Sequence, residues 1–458
     1  MSLIAKAYDI EHYKQLAEET LHVLMANYQQ QLSDNHKTSN TIDANELLEQ
    51  YKTKEKWSFS ELLAETVDKS MQLHNPNYMG HQVSAPLPMA ILFDWVAAHF
   101  NNGMAVYEMG QVGTVAEQLV IEKLSKWLKL PNTTNGILTN GGTVGNLTAL
   151  LAAKKKANTN KRLALLVSKE AHYSITRAAY IMGLTPEDIY YIPTNKLFQV
   201  DAAQLETTHQ QAVSDNKHVF AICANACSTS TGAYDPIDEM ANFAISKNTW
   251  FHIDGAHGGA VAISDSYAHL TKGINKANSI VIDFHKMLLC PALITAVLYK
   301  NEGDSFLPFE QKAAYLLSEE PEWENLAMRT MECTKYMMSL KALAIMDVYG
   351  KSMFTEFIER QYHLTLTCAD LIQKSPVFEL ALTPQSNILC FRYRCKEPNI
   401  VNPIIRKELL DDGTFYIVKT EIKGDYYLRC TFMNPFTTIT HFTNLLQKIT
   451  AMVKTIRP

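Results

Sequence analysis

Read for the spacing of apolar and polar positions, the chain falls into three stretches. Residues 1–100 carry apolar side chains mostly at helical spacing, interrupted by "HNPNYMGHQVSAPLP", whose glycine and prolines forbid a continuous helix. An arm of helices with a loop is expected there. Residues 101–343 change character: apolar runs of strand length, "LALLVS", "VFAIC", "WFHID", "SIVI" and "LITAVLY", alternate with helical stretches. Such alternation builds a mostly parallel sheet covered by helices on both faces, with ligands held at the carboxyl ends of strands. Residues 344–458 continue a long helical stretch and then supply the strand-like "NILCFRYR", "FYIVKTEI" and "DYYLRCTFM", flanked by the helical "NPIIRKELLDD" and "TITHFTNLLQKITAMVK". The expected fold is α/β, with a small α+β domain at the C-terminus.

Composition narrows the function classes. The chain has 458 residues, 47% apolar and 19% charged, as in an ordinary globular protein large enough for several domains. The net charge of -5, with no basic stretch interleaved with aromatics, argues against nucleic acid and for small-molecule partners. No run approaches the roughly 18 apolar residues of a membrane span, and "MSLIAKAYDIEHYKQLAEET" has no apolar signal core, so a cytoplasmic protein is expected. The eight cysteines form no C-x-x-C pair and read as reduced core thiols rather than as disulfide or metal ligands.

Candidate chemistry sits at the ends of the strand-like runs. Residues 277–299, "ANSIVIDFHKMLLCPALITAVLY", trap Asp283, His285 and Lys286 between two apolar runs. A buried unpaired ammonium is costly, so Lys286 is either ion-paired or used, for instance as a lysine that forms an imine with an aldehyde. In "ILTNGGTVGNLTALL", the turn Gly141-Gly142-Thr143 opens into a helix whose free N–H groups suit an anion such as phosphate. The motif lacks the P-loop lysine and the G-x-G-x-x-G spacing. In "TWFHIDGAHGGAVAIS", Asp254 ends a strand and needs a cation, while the small residues after it let a flat ring approach the backbone. One ligand needs all three features. Pyridoxal phosphate has a phosphate, a pyridinium nitrogen and an aldehyde. His172, in "SKEAHYSI", adds an imidazole able to stack on the ring. A reading from another class joins His252, Asp254 and His285 as the facial triad of a non-haem iron oxygenase. It leaves Lys286 and the glycine turn without a role.

These residues, with "NPNYMGH", "TNGGTVGN", "EAHYSI", "STSTGAYDPID", "HIDGAHGG" and "DFHKM" in this order, resemble the group II pyridoxal-phosphate-dependent amino-acid decarboxylases. That family includes glutamate, aromatic-amino-acid, cysteine-sulfinate and 2,4-diaminobutyrate decarboxylases. The resemblance implies fold type I, the aspartate-aminotransferase-like architecture: a large domain over residues 101–343 with a mostly parallel seven-stranded sheet, and a small C-terminal domain. It also implies a cytoplasmic homodimer with active sites at the interface. By resemblance Lys286 is the lysine that carries the cofactor, with His285 beside it near the phosphate. Asp254 is the pyridinium partner, Ala256 lies against the ring, His172 stacks on it and Thr229 lies near it. Gly142 and Thr143 fall at phosphate-binding positions, and His81 and Ser84, in "GHQVSAP", on the substrate side.

The chain also departs from that pattern. Many members carry "NPHK" where this chain has "DFHK", so Asp283 replaces an asparagine near the phosphate, an unfavourable place for an anion. The segment resembling the family's mobile loop places no tyrosine at the position that, in several members, returns a proton to the α-carbon. Tyr315 and Tyr336 flank it, and His172 or water remain as donors. Gly103 and Ala105, in "NNGMAVYEMG", stand where aromatic-specific members have bulky side chains, and Glu108 could meet a cationic substrate tail. The expected reaction is decarboxylation of a non-aromatic L-amino acid, 2,4-diaminobutyrate being the leading candidate. An aminotransferase or carbon–sulfur lyase of the same fold is the alternative. Arg429, in "YYLRCTFMNP", is left out of the catalytic set, because clamping the departing carboxylate stabilises the ground state.

Overall fold

Seven strands frame the larger unit: β1 (Asn135–Thr139), β2 (Leu163–Ser168), β3 (Ile189–Ile192), β4 (His218–Asn225), β5 (Trp250–Asp254), β6 (Ser279–Asp283) and β7 (Thr295–Tyr299). The computed structural model describes residues 2–33, 36–309 and 323–454. The sheet order is β1-β7-β6-β5-β4-β2-β3. β7 runs antiparallel to both neighbours and the remaining pairs are parallel, so the other strands share one direction and their carboxyl ends lie along one edge. Nearly every strand position is buried, which is why these strands read as unbroken apolar runs rather than as alternation. Leu147 and Leu150 of the helix Gly142–Ala157 share one core with Val167, Cys223, Val281 and Val297 of the strands.

The chain groups into two compact units, residues 86–366 with 382–389, and residues 1–85 with 367–381 and 390–458. The second unit holds a four-stranded sheet of β8 (Phe378–Leu380), β9 (Ile388–Tyr393), β10 (Val418–Ile422) and β11 (Asp425–Thr431), in the order β10-β11-β9-β8. The turn between β10 and β11 is the pair Lys423-Gly424, both with positive φ (54° and 84°), the two-residue geometry that matches strand twist. Residues 1–85 group here through hydrogen bonds: Met79 N–H donates to the Tyr416 carbonyl and Thr431 N–H to the Met79 carbonyl, both at 2.9 Å, and the Tyr78 and Tyr416 rings stack. The boundary expected at residues 343/344 falls inside the helix Ser339–Lys374, whose only non-helical residue is Gly350 (φ 67°), because the apolar spacing continues across it. Among the described residues no helix is long and apolar enough to cross a membrane.

Candidate active site

At the carboxyl edge of the large sheet lies a cavity of about 360 Å³. Its wall brings together Gly142 and Thr143 after β1, His172 after β2, Thr229 after β4, Asp254 and Ala256 at the end of β5, and His285 and Lys286 after β6. Residues spread over more than a hundred positions of sequence converge because parallel strands end on one edge. His81 and Ser84 belong to the other unit, where Ser84 is buried and the His81 ring packs 5.9 Å from that of Tyr416.

The glycine turn behaves as its sequence implies. Gly141 caps the helix Gly142–Ala157 at φ 94°, a conformation costly for other residues, and the first N–H groups of the helix have no intrahelical acceptor. A Cβ on Gly142 would stand 3.1 Å from Asp283 Oδ1 and 3.4 Å from the Ala256 Cβ, so no larger side chain fits there without movement.

Asp254 is buried and held by neutral donors. Asn146 Nδ2 donates to its Oδ2 at 3.0 Å and the Ala256 N–H to its Oδ1 at 3.2 Å. The same Asn146 amide donates to Ser174 Oγ at 2.9 Å, while its oxygen lies 3.0 Å from His252 Nε2. Ser279 Oγ receives the Trp250 indole N–H and meets His252 Nδ1, each at 2.8 Å. These contacts assign the protons: His252 Nε2–H donates to Asn146 and its Nδ1 accepts from Ser279. Burial pushes His252 down to about 4, so its ring is neutral.

The same logic reaches His172. It caps the helix Tyr173–Ile181, and its Nδ1 lies 2.8 Å from Ser174 Oγ, whose lone pairs already receive the Asn146 amide. The Ser174 N–H also donates to Nδ1, at 3.3 Å, so Nδ1 is an acceptor, Ser174 Oγ donates to it, and the ring proton of His172 sits on Nε2. Burial pushes this imidazole below the usual histidine range, against the opposing pull of Asp254.

Lys286 has a partner of its own. Its Nζ lies 2.9 Å from Asp283 Oδ2, and Asp283 Oδ1 accepts the Thr295 hydroxyl at 2.5 Å. His285 Nε2 lies 3.5 Å from Asp283, and its Nδ1 lies 3.0 Å from the Ile294 carbonyl. Burial alone would lower the Lys286 ammonium, but the adjacent carboxylate holds it above the ordinary lysine range.

Several sequence expectations change. The iron triad fails because both ring nitrogens of His252 are engaged by Asn146 and Ser279 within the core, leaving no lone pair for a metal. Among the described residues no group of three or more His, Cys, Asp or Glu side chains is placed to hold a metal. Gly103 has a packing reason to be small: a Cβ there would stand 2.6 Å from Thr334 Oγ1. Glu108 is exposed in the first turn of the helix Tyr107–Trp127, where a carboxylate favours the helix dipole. Tyr336 donates to the Asp94 carbonyl at 2.7 Å and is pushed up to about 12 by burial and by Asp94, while Tyr315 lies outside the described residues. Arg429 is buried in the smaller unit, with Nη2 3.3 Å from Thr431 Oγ1.

Sequence reading also missed cavity residues. Asn146 was detectable, as an amide inside the otherwise apolar helical stretch "GNLTALLAA". Arg177, whose guanidinium lies over the Tyr173 ring at 4.6 Å, carried only the signal of i,i+4 spacing. His257 lines the cavity with Nε2 2.7 Å from Asn387 Oδ1. Its motif "GAHGG" draws attention to the small residues rather than to the histidine.

Comparison with known proteins places the chain in a family. The family described as "Pyridoxal-dependent decarboxylase conserved domain" matches residues 57–394. The chain is 27% identical over 390 residues to an L-2,4-diaminobutyrate decarboxylase of Rhizobium meliloti, covering 83% of this chain and 78% of that one. It is 26% identical over 379 residues to an aromatic-L-amino-acid decarboxylase of Bacillus atrophaeus, covering 80% and 79%. Its fold matches the glutamate decarboxylase domain of a diaminobutyrate-pyruvate transaminase and L-2,4-diaminobutyrate decarboxylase from Vibrio parahaemolyticus with a TM-score of 0.86 at 23% identity, covering 100% of this chain and 97% of that one. The chain belongs to the pyridoxal-dependent decarboxylases, carboxy-lyases that act on amino acids with pyridoxal phosphate.

Proposed function

We propose that this protein decarboxylates a non-aromatic L-amino acid with a cationic side chain, 2,4-diaminobutyrate in the first instance, with Lys286, Asp254 and His172 as its catalytic residues. The observation that carries the site assignment is the placement of a lysine amine, a buried carboxylate held by neutral donors and a helix N-terminus around one cavity. The substrate rests on similarity to relatives named for diaminobutyrate.

The residues fit the cofactor. Asp254 accepts hydrogen bonds from neutral groups, so its charge is left to meet a ring N–H. The turn at Gly142 and Thr143 offers free N–H groups where a Cβ would crowd the wall, and Lys286 Nζ reaches the same cavity. His285, Thr229 and Ala256 complete the surround. When bound, pyridoxal phosphate supplies the electron sink that takes up the pair left on the α-carbon as carbon dioxide departs. Lys286 would hold the cofactor through its side-chain amine. Asp254 Oδ2, fixed by Asn146, would keep a proton on the cofactor's ring nitrogen. His172 would stack on the cofactor ring, and the proton on its Nε2 would be available to the substrate's α-carbon.

We further propose a homodimer. In the helix Pro88–Phe100, Ile91, Leu92, Phe93, Trp95, Val96 and Phe100 are exposed, an apolar face of the kind that marks an interface. Sedimentation equilibrium should give twice the 51.7 kDa chain mass.

Purified protein loaded with cofactor is incubated with each common L-amino acid, 2,4-diaminobutyrate and cysteine sulfinate, with carbon dioxide and product mass recorded. The proposal expects carbon dioxide and a diamine from 2,4-diaminobutyrate, both lost in Lys286→Ala. An aromatic amine, or a keto acid without carbon dioxide, would replace the substrate or the reaction.

A further inference from the structure

Among the described residues, Asp283 is the charged group ion-paired with Lys286 that the mechanism does not use. It ends β6 and is held on several sides: Thr295, its register partner on β7, donates to Oδ1 at 2.5 Å, His285 Nε2 lies 3.5 Å from Oδ2, and the first turn of the helix Gly142–Ala157 packs against it. A carboxylate fixed this firmly is a mould for the flexible side chain that meets it, and that side chain is Lys286, at 2.9 Å. The other charged or titratable groups on the cavity wall are Asp254 from β5, Cys227 and His172 from the turns after β4 and β2, Arg177 from the helix that His172 caps, and His257 and His285. Among the described residues, Asp283 supplies the carboxylate within ion-pair distance of Nζ.

We propose that Asp283 is a positioning residue for Lys286: its carboxylate anchors the ε-ammonium in the cofactor-free protein and so sets the acidity at which Lys286 becomes the free amine that captures the cofactor aldehyde. The inference rests on the reading that Lys286 carries the cofactor. Capture balances as follows in atoms. The ammonium releases one proton to solvent. The nitrogen lone pair then bonds to the aldehyde carbon, and the carbonyl oxygen leaves as water with the two remaining amine protons, giving a carbon–nitrogen double bond. Only the first step depends on Asp283, because an adjacent anion stabilises the ammonium and not the amine. The direction of the Lys286 shift, above the ordinary lysine range in spite of burial, agrees.

The test mixes cofactor-free, full-length protein with pyridoxal phosphate across a pH series, follows capture by absorbance, and traps the product with borohydride for peptide mapping. Wild type should gain about tenfold in rate per pH unit with no plateau below roughly pH 9. Asp283→Asn should move the midpoint down by about one to three units, making capture at neutral pH at least about tenfold faster, and Asp283→Glu should restore the wild-type profile. Pyridoxal, which has no phosphate, should show the same midpoint shift, separating the amine from any effect on phosphate binding. A wild-type plateau well below pH 9 overturns the inference even if Asp283→Asn does not fold. Trapping at Lys286 with an unchanged midpoint in Asp283→Asn overturns the inference alone. Failure of wild type to trap at Lys286 overturns it together with the functional reading.

Discussion

Two buried aspartates end neighbouring parallel strands, yet they face different partners. Asp254, on β5, accepts from an amide and a backbone N–H; Asp283, on β6, is held by a lysine, a threonine hydroxyl and a histidine. The first is held by neutral donors and stays open to a cationic ligand atom, whereas the second is ion-paired within the protein. Position at a strand end therefore makes a carboxylate available to the site, and its hydrogen-bond partners decide which task it performs.

That contrast is broken most severely at Lys286. Lys286→Ala removes the captured aldehyde and the partner of Asp283 together, and should abolish carbon dioxide release while leaving a buried carboxylate without its cation. Asp254→Asn comes next, with turnover expected to fall about 10²- to 10³-fold in a folded protein, as when one preorganised electrostatic group is lost from a site; steady-state carbon dioxide release checks it.

His252 sharpens the comparison through pH. Its folded value of about 4 lies below its unfolded value of 6.5, so the neutral ring stabilises the fold above pH 6.5, and that contribution is lost as pH falls through 4. Denaturant unfolding between pH 7 and 4 should show wild type losing about 3 kcal/mol more than His252→Gln. The smallest effect is expected at Asn146. Asn146→Leu deprives Asp254 of a donor and His252 of its acceptor, and should cost about 1–3 kcal/mol in unfolding free energy.

Much of this site was legible because its residues are chemically unusual where they stand. A lysine between two apolar strands, an aspartate at a strand end before small residues and a glycine turn opening a helix each conflict with ordinary packing. The structure brings all of them to one cavity. The apolar runs reveal β2, β4, β5, β6 and β7, while β3 and β8, of four and three residues, are too short to carry periodicity, and β1 has only Ile137 and Leu138 as apolar residues. Ser174 and Ser279 stay hidden for another reason. They act through hydrogen bonds to residues 27 to 29 positions away, which no local pattern encodes. The seven-stranded sheet followed from resemblance to the family rather than from spacing.

The most direct test of the two-carboxylate account is reductive trapping of the cofactor-loaded wild-type protein, followed by mass mapping of the labelled peptide. The account predicts one phosphopyridoxyl group per chain, on Lys286. A label on any other lysine, or none after full loading, would contradict it.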